Sequence, residues 1–118
     1  MSGTDDRRLY PRIKVQVPIE LYTEGSTFPI RGATTDLSLT GCYIETRLPL
    51  PVGTALEIKL QLEGTLLVLA AVVTSDPQVG NGIGFNRMLP EDMDELRAFL
   101  ESKQKEQREQ KEQKEQSE

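Results

Sequence analysis

Three arginines near the start of the chain are well suited to bind an anion. Arg7, Arg8 and Arg12 lie directly before the first segment with strand periodicity. Because the intervening proline disfavours helical geometry in the preceding residue, Arg8 and Arg12 should lie roughly 13 Å apart on an extended segment. Two guanidinium groups at that spacing can bind separate parts of one large anion, since their planar forks match phosphates and guanine edges. The alternative is a solvated basic arm paired with Asp5 and Asp6.

A second candidate is the segment Asp36-Leu-Ser-Leu-Thr-Gly41, at the end of the second predicted strand. Asp36 and Ser38 point to the same face of an extended chain because side chains alternate along a strand. A carboxylate can accept hydrogen bonds from the N1–H and N2–H edge of a guanine, and a hydroxyl can donate or accept. Gly41 permits a positive φ or a close backbone approach. The alternative is ordinary turn chemistry, in which Asp36 and Ser38 bond to their own backbone.

Composition excludes several other kinds of site. The 118 residues include no His and one Cys, so His-based catalysis and thiolate zinc sites are absent, and no nucleophile–base pair suggests an enzyme. The formal net charge of −5 argues against a general binder of nucleic-acid polymers. No apolar run reaches the ~18 residues of a membrane helix, and the first residues lack the apolar stretch of a signal peptide. Cys42 is then expected to be a small buried residue in a reduced, cytoplasmic protein.

Alternating hydrophobicity predicts the elements that position these candidates. Period-2 patterns between turn residues predict a mainly β fold, a six-stranded antiparallel barrel. The first strand covers Ile13–Leu21, with an edge or a bulge at Pro18. The segment Leu66–Ser75 is apolar on both faces, which predicts a central strand covered on both sides. From Pro90, acidic residues followed by an apolar stripe predict a C-terminal α-helix that packs on the barrel.

Charge and composition divide the chain into three parts. Residues 1–12 form the N-terminal arginine arm, which we expect to be mobile, and residues 13–102 form the barrel with its closing helix. Residues 103–118 repeat Lys-Glu-Gln-like triplets without any apolar residue. The Lys/Arg-to-Glu order of their i,i+4 pairs is the weaker one, so the sequence predicts a frayed helix or a disordered tail.

Together the two motifs are more specific than either one alone. Arg8-xxx-Arg12 ahead of a strand, followed by Asp36-x-Ser38-x-x-Gly41, resembles the PilZ domain, a family of bacterial receptors for the second messenger cyclic di-GMP. The resemblance implies a PilZ-type barrel with the arginine arm folding over a ligand held against the barrel surface. It also implies a receptor that binds its ligand, and composition adds the expectation of no enzyme activity, metal or cofactor.

The resemblance extends over roughly residues 7–101, and Gly82-Ile-Gly84-Phe85 is similar to a late strand of the family. Arg7 precedes the first motif arginine and would influence how the ligand is held. The other implied ligand-binding residues act on guanine edges, phosphates or the space for a base: Arg8, Arg12, Asp36, Ser38 and Gly41.

These inferences predict a cytoplasmic receptor and adaptor that passes its signal to a downstream effector protein. Ligand binding would order the arm and so present a surface to that partner. One alternative is a PilZ-like interaction module that does not bind nucleotide. Another is an oligonucleotide-binding barrel, against which the acidic charge and the three Tyr and three Phe count.

Overall fold

The computed structural model describes residues 11–45, 50–76 and 78–116. This part of the chain folds into seven β-strands followed by one α-helix. The elements are β1 (Ile13–Lys14), β2 (Pro18–Thr23), β3 (Ile30–Leu37), β4 (Gly41–Ile44), β5 (Ala55–Gln61), β6 (Thr65–Asp76), β7 (Gly80–Met88) and α1 (Pro90–Gln116).

Six of the strands close into an antiparallel barrel. Their order is β3-β2-β5-β6-β7-β4, and pairing of β3 with β4 completes the circle. The extra strand, β1, pairs with residues 36–37 at the end of β3. It lies on the same side of β3 as β2, which pairs with residues 30–33. The predicted six-stranded antiparallel barrel with a C-terminal helix is therefore confirmed.

The first predicted strand is divided into β1 and β2 by a local irregularity. The buried Thr34 hydroxyl on β3 accepts a hydrogen bond from the Val17 N–H at 3.0 Å and donates to the Val15 carbonyl at 2.6 Å. Pro18 begins β2, which is paired on both sides by β3 and β5. Of the two alternatives for this proline, the irregularity is the one observed, because β2 is not an edge strand.

The inward side chains of all seven strands form one core with the start of the helix. Leu96 and Leu100 of α1 are buried in it, whereas Met93 of the predicted stripe is 37% exposed. The Gly64 N–H donates to Glu95 at 3.1 Å, which ties the helix to the β5–β6 turn. Further along, the side-chain amide of Gln107 donates to the Lys14 carbonyl at 2.7 Å, so the helix reaches β1. No helix in the described ranges is long and apolar enough to span a membrane.

Strand β6 is paired on both sides, by β5 and β7, but only one of its faces is covered. Its inward residues are buried, whereas the outward Leu67, Leu69 and Val73 are 45%, 44% and 54% exposed. The predicted cover on both sides is therefore wrong. Barrel closure explains the difference, because a closed sheet encloses one face of each strand and leaves the other outside.

Candidate functional site

The structure brings part of the arginine motif to the Asp36 motif. Arg12 lies directly before β1, and its Nη1 is 3.5 Å from Oδ1 of Asp36 on β3. The Arg12 side chain is 59% exposed, so this long ion pair contributes little and can be exchanged for other contacts at small cost. Arg7 and Arg8 lie outside the described residues.

Ser38 is positioned by the turn between β3 and β4. The residue is buried, and its hydroxyl accepts a hydrogen bond from the Thr40 N–H at 3.1 Å. The same oxygen lies 3.3 Å from the Gly41 carbonyl, to which it can donate. Ser38 therefore fixes the turn that separates Asp36 from Gly41, in the way that the turn-chemistry alternative describes.

Gly41 is required where β4 passes close to β7. A Cβ at this position would lie closer than 3.0 Å to the Ile83 carbonyl oxygen, which belongs to rigid strand backbone. Gly41 is paired with Gly84, the second glycine of the Gly-x-Gly strand. Of the two alternatives for Gly41, close approach is observed, and positive φ is confined to other glycines in the described ranges.

Two further residues join Asp36 in one row across the outer surface of the barrel. Lys14 of β1 and Tyr43 of β4 are both paired with Asp36, and Tyr43 is paired in turn with Gly82 of β7. Lys14 is exposed and Tyr43 is partly buried, whereas the neighbouring Cys42 points into the core. Sequence analysis missed Lys14 and Tyr43 because their only signal is strand register, which appears after the strands pair.

The core beneath this row is apolar. Burial raises the pKa of the Cys42 thiol from 9.0 to about 12, and the Asp36 carboxylate adds to the rise while Arg12 opposes it. The predicted small buried cysteine is thus observed. A thiol in this state is a core residue and not a nucleophile at neutral pH.

The row combines three kinds of recognition on one surface. The Asp36 carboxylate accepts hydrogen bonds, and the partly buried Tyr43 adds an aromatic ring. The space beside the Gly82 backbone is occupied by the Thr74 hydroxyl, which accepts a hydrogen bond from the Gly82 N–H. Lys14 and Arg12 supply positive charge at the other end. Such a surface suits a ligand with planar donor groups and anionic groups. No cluster of metal-ligating side chains occurs among the described residues.

The chain thus forms a small antiparallel barrel with a polar strand-turn site on its outer wall. Its sequence matches the PilZ domain family over residues 6–102. The chain belongs to the PilZ domain family.

Solved structures show the same fold at low sequence identity. The PilZ domain of CeSA from a cellulose-synthesizing bacterium aligns with a TM-score of 0.63 and 19% identity, covering 77% of this chain and 95% of that one. YcgR from Escherichia coli in complex with c-di-GMP aligns with a TM-score of 0.72 and 21% identity, covering 91% of this chain and 50% of that one.

The inhibitor of motility MotI/DgrA from Bacillus subtilis aligns with a TM-score of 0.72 and 20% identity, covering 86% of this chain and 53% of that one. The alignments thus span about half of the YcgR and MotI chains. No curated protein matches the sequence.

Proposed function

We propose that this protein is a receptor for cyclic di-GMP. The observation that carries the proposal is the row formed by Lys14, Asp36 and Tyr43, with Arg12 in contact with Asp36. Membership of the PilZ family and the likeness to a structure solved with c-di-GMP support this choice of ligand. The function is binding, with no catalytic step.

Each group of the row has a counterpart on the ligand. Asp36 accepts from the N1–H and N2–H groups of a guanine, which adenine lacks. A base in that position lies beside Tyr43, whose ring can stack on it, a contact worth about 1–3 kcal/mol. Arg12 leaves its long ion pair with Asp36 and binds a phosphate or the other edge of the base, while Lys14 adds charge at the phosphates.

The remaining predicted residues have supporting roles in this proposal. Arg7 and Arg8 bind the ligand from the arm, and Arg8 acts with Arg12 on guanine edges and phosphates. Ser38 acts through the turn that it fixes, beside the guanine that Asp36 reads. Gly41 leaves room for the base and allows the strands to approach each other.

The arm makes the proposed receptor a switch. Phosphates neutralise its clustered arginines, and the arm becomes ordered over the surface from Asp36 to Gly41. Ordering costs roughly 1–2 kcal/mol of backbone entropy per residue, so part of the contact energy is consumed. The ordered arm and the nucleotide then present a surface to a downstream effector protein in the cytoplasm, which makes the protein an adaptor.

Calorimetric titration with cyclic di-GMP, cyclic di-AMP and GTP tests the receptor. Wild-type protein should bind cyclic di-GMP most tightly, and Arg8→Ala and Arg12→Ala should each weaken binding roughly tenfold or more. The matched control is Arg31→Ala, because Arg31 is also an exposed arginine in an ion pair, with Glu20 on β2. Absence of binding by folded wild-type protein would favour the PilZ-like interaction module instead.

Two further measurements examine the finer parts of the proposal. Tyr43→Ala should weaken binding, whereas Tyr22→Ala, which removes another partly buried tyrosine, should not. Amide hydrogen exchange should show residues 7–12 gaining protection when cyclic di-GMP binds. Strong protection of these amides before ligand is added would contradict the ordering step and leave the receptor itself standing.

A further inference from the structure

The outer face of β6 carries an apolar surface that the proposed receptor site does not use. Leu67, Leu69, Ala71 and Val73 alternate along one face of the strand, and three of them are large and 44–54% exposed. Single exposed apolar residues are common, whereas these four lie in one contiguous strip that one partner surface can cover. We name these four residues the β6 strip.

The surroundings of the β6 strip add charge in a definite pattern. Glu57 of β5 is paired with Leu69, and Leu69 is paired with Arg87 of β7. The three side chains therefore form a row across the outer face, acidic on one side of Leu69 and basic on the other. Neither Glu57 nor Arg87 takes part in an ion pair within the described residues.

A second copy of the chain fits this pattern. If two barrels face each other across a two-fold axis parallel to β6, each apolar residue of the strip meets its own counterpart. Rotation about that axis exchanges the two sides of the strip, so Glu57 of each copy faces Arg87 of the other. Interfaces of this type are isologous, and opposite charges at their rim fix the orientation.

The row beside the charged one allows the two faces to approach each other. Ala55, Ala71 and Gly84 are paired across β5, β6 and β7, so this row has only small side chains, with Val73 leaning over Gly84. Leu89, which follows β7, is 59% exposed and extends the apolar surface at the Leu67 end. Sheets that pack face to face lie about 10 Å apart and bury such alternating residues between them.

We propose that the β6 strip is the interface of a two-fold symmetric homodimer. In the barrel, β6 and β3 are separated by two strands in either direction. The dimer therefore places its two Asp36 surfaces on opposite outer sides, where each stays accessible. The strip is small beside the roughly 800 Å² per partner of a standard interface, so the dimer is expected to be weak and concentration-dependent.

Analytical ultracentrifugation of the full chain without nucleotide tests the dimer independently of the receptor function. The wild type should show a reversible monomer–dimer equilibrium, and Leu69→Glu should weaken it about tenfold or more, since two carboxylates would meet at the axis. Val79→Glu is the matched control, because Val79 is 53% exposed but lies in the turn before β7. Circular dichroism should show unchanged folding for both variants.

Charge exchange tests the orientation of the two copies. Glu57→Arg and Arg87→Glu should each weaken the dimer, and the double variant should restore it, because both ion pairs re-form with reversed polarity. A wild type that remains monomeric at high concentration would overturn the proposal. It would also be overturned if Leu69→Glu dimerised as tightly as the wild type. The same holds if the dimerisation free energy lost by the double variant equalled the sum of the losses in the two single variants.

Discussion

Two opposite walls of the same barrel are built on the same plan but carry different chemistry. On the wall formed by β3 and β4, a cross-strand row places Lys14, Asp36 and Tyr43 side by side. On the wall formed by β6, the equivalent row places Glu57, Leu69 and Arg87 side by side. The first row suits a polar, anionic ligand, and the second suits an apolar surface with complementary charges. The chemistry of each wall thus depends on a row of side chains across paired strands, which brings together residues distant in sequence.

The largest effect is expected where the backbone itself forms the first wall. Gly41→Ala should lower the free energy of unfolding by about 3 kcal/mol, since the new methyl group would overlap the Ile83 carbonyl oxygen. Chemical denaturation measures this loss. Gly64→Ala is the matched control, because a Cβ there meets only the Glu95 carboxylate, at 3.6 Å. Equal stability of the two variants would show that β4 and β7 can separate without cost.

The next largest effect concerns Asp36, whose carboxylate distinguishes the first wall chemically from the second. Asp36→Ala should weaken cyclic di-GMP binding by roughly 1.5–3 kcal/mol and narrow the difference from cyclic di-AMP, because the guanine-specific acceptor is lost. Competition titrations with both nucleotides measure this selectivity. Glu57→Ala removes a carboxylate from the opposite wall and should leave both affinities unchanged. Wild-type protein that binds the two nucleotides equally would contradict the role of Asp36.

Patterns within one strand predicted most of the fold. Alternation in Ala55–Gln61 and the apolar stripe after Pro90 depend on local residues only, so the strand and the helix could be predicted directly. The division of Ile13–Leu21 could not, because the Thr34 hydroxyl that stabilises it comes from another strand. The exposure of the outer face of β6 could not be predicted, because an apolar pattern alone does not distinguish a buried face from an exposed one.

The sequence predicted only those residues of the candidate site that belong to its two motifs. Arg12 and Asp36 could be linked in advance because the family resemblance joins their motifs, and they lie 3.5 Å apart. Lys14 and Tyr43 have no motif of their own, and register alone places them beside Asp36. Arg7 and Arg8 lie outside the described residues, so their roles stay predictions.

A smaller effect should appear at alkaline pH, beneath the first wall. The pKa of Cys42 is raised from 9.0 to about 12 in the folded protein, chiefly by burial. The neutral thiol therefore stabilises the folded state fully below pH 9, and this contribution is lost as the pH rises towards 12. Between about pH 8 and pH 10 the wild type should lose about 1 kcal/mol more of its unfolding free energy than Cys42→Ala does. If the free energies of unfolding of the two proteins changed in parallel with pH, the pKa of the thiol would be the same in the folded and unfolded states.

The smallest effect concerns the end of the helix, which reaches the first wall through a hydrogen bond to β1. Truncation after Ser102 removes the 2.7 Å hydrogen bond from Gln107 to the Lys14 carbonyl and no buried apolar residue. The free energy of unfolding should fall by less than about 1 kcal/mol, and Tm by a few degrees. Gln107→Ala in the full chain should reproduce most of the decrease, and the lost contact of Lys103 with the Phe99 ring accounts for the rest. Since the tail does not belong to the β6 strip, truncation should also leave the monomer–dimer equilibrium unchanged. If the truncated protein became strictly monomeric, the tail would be the site of self-association, and the contrast between the two walls would fail.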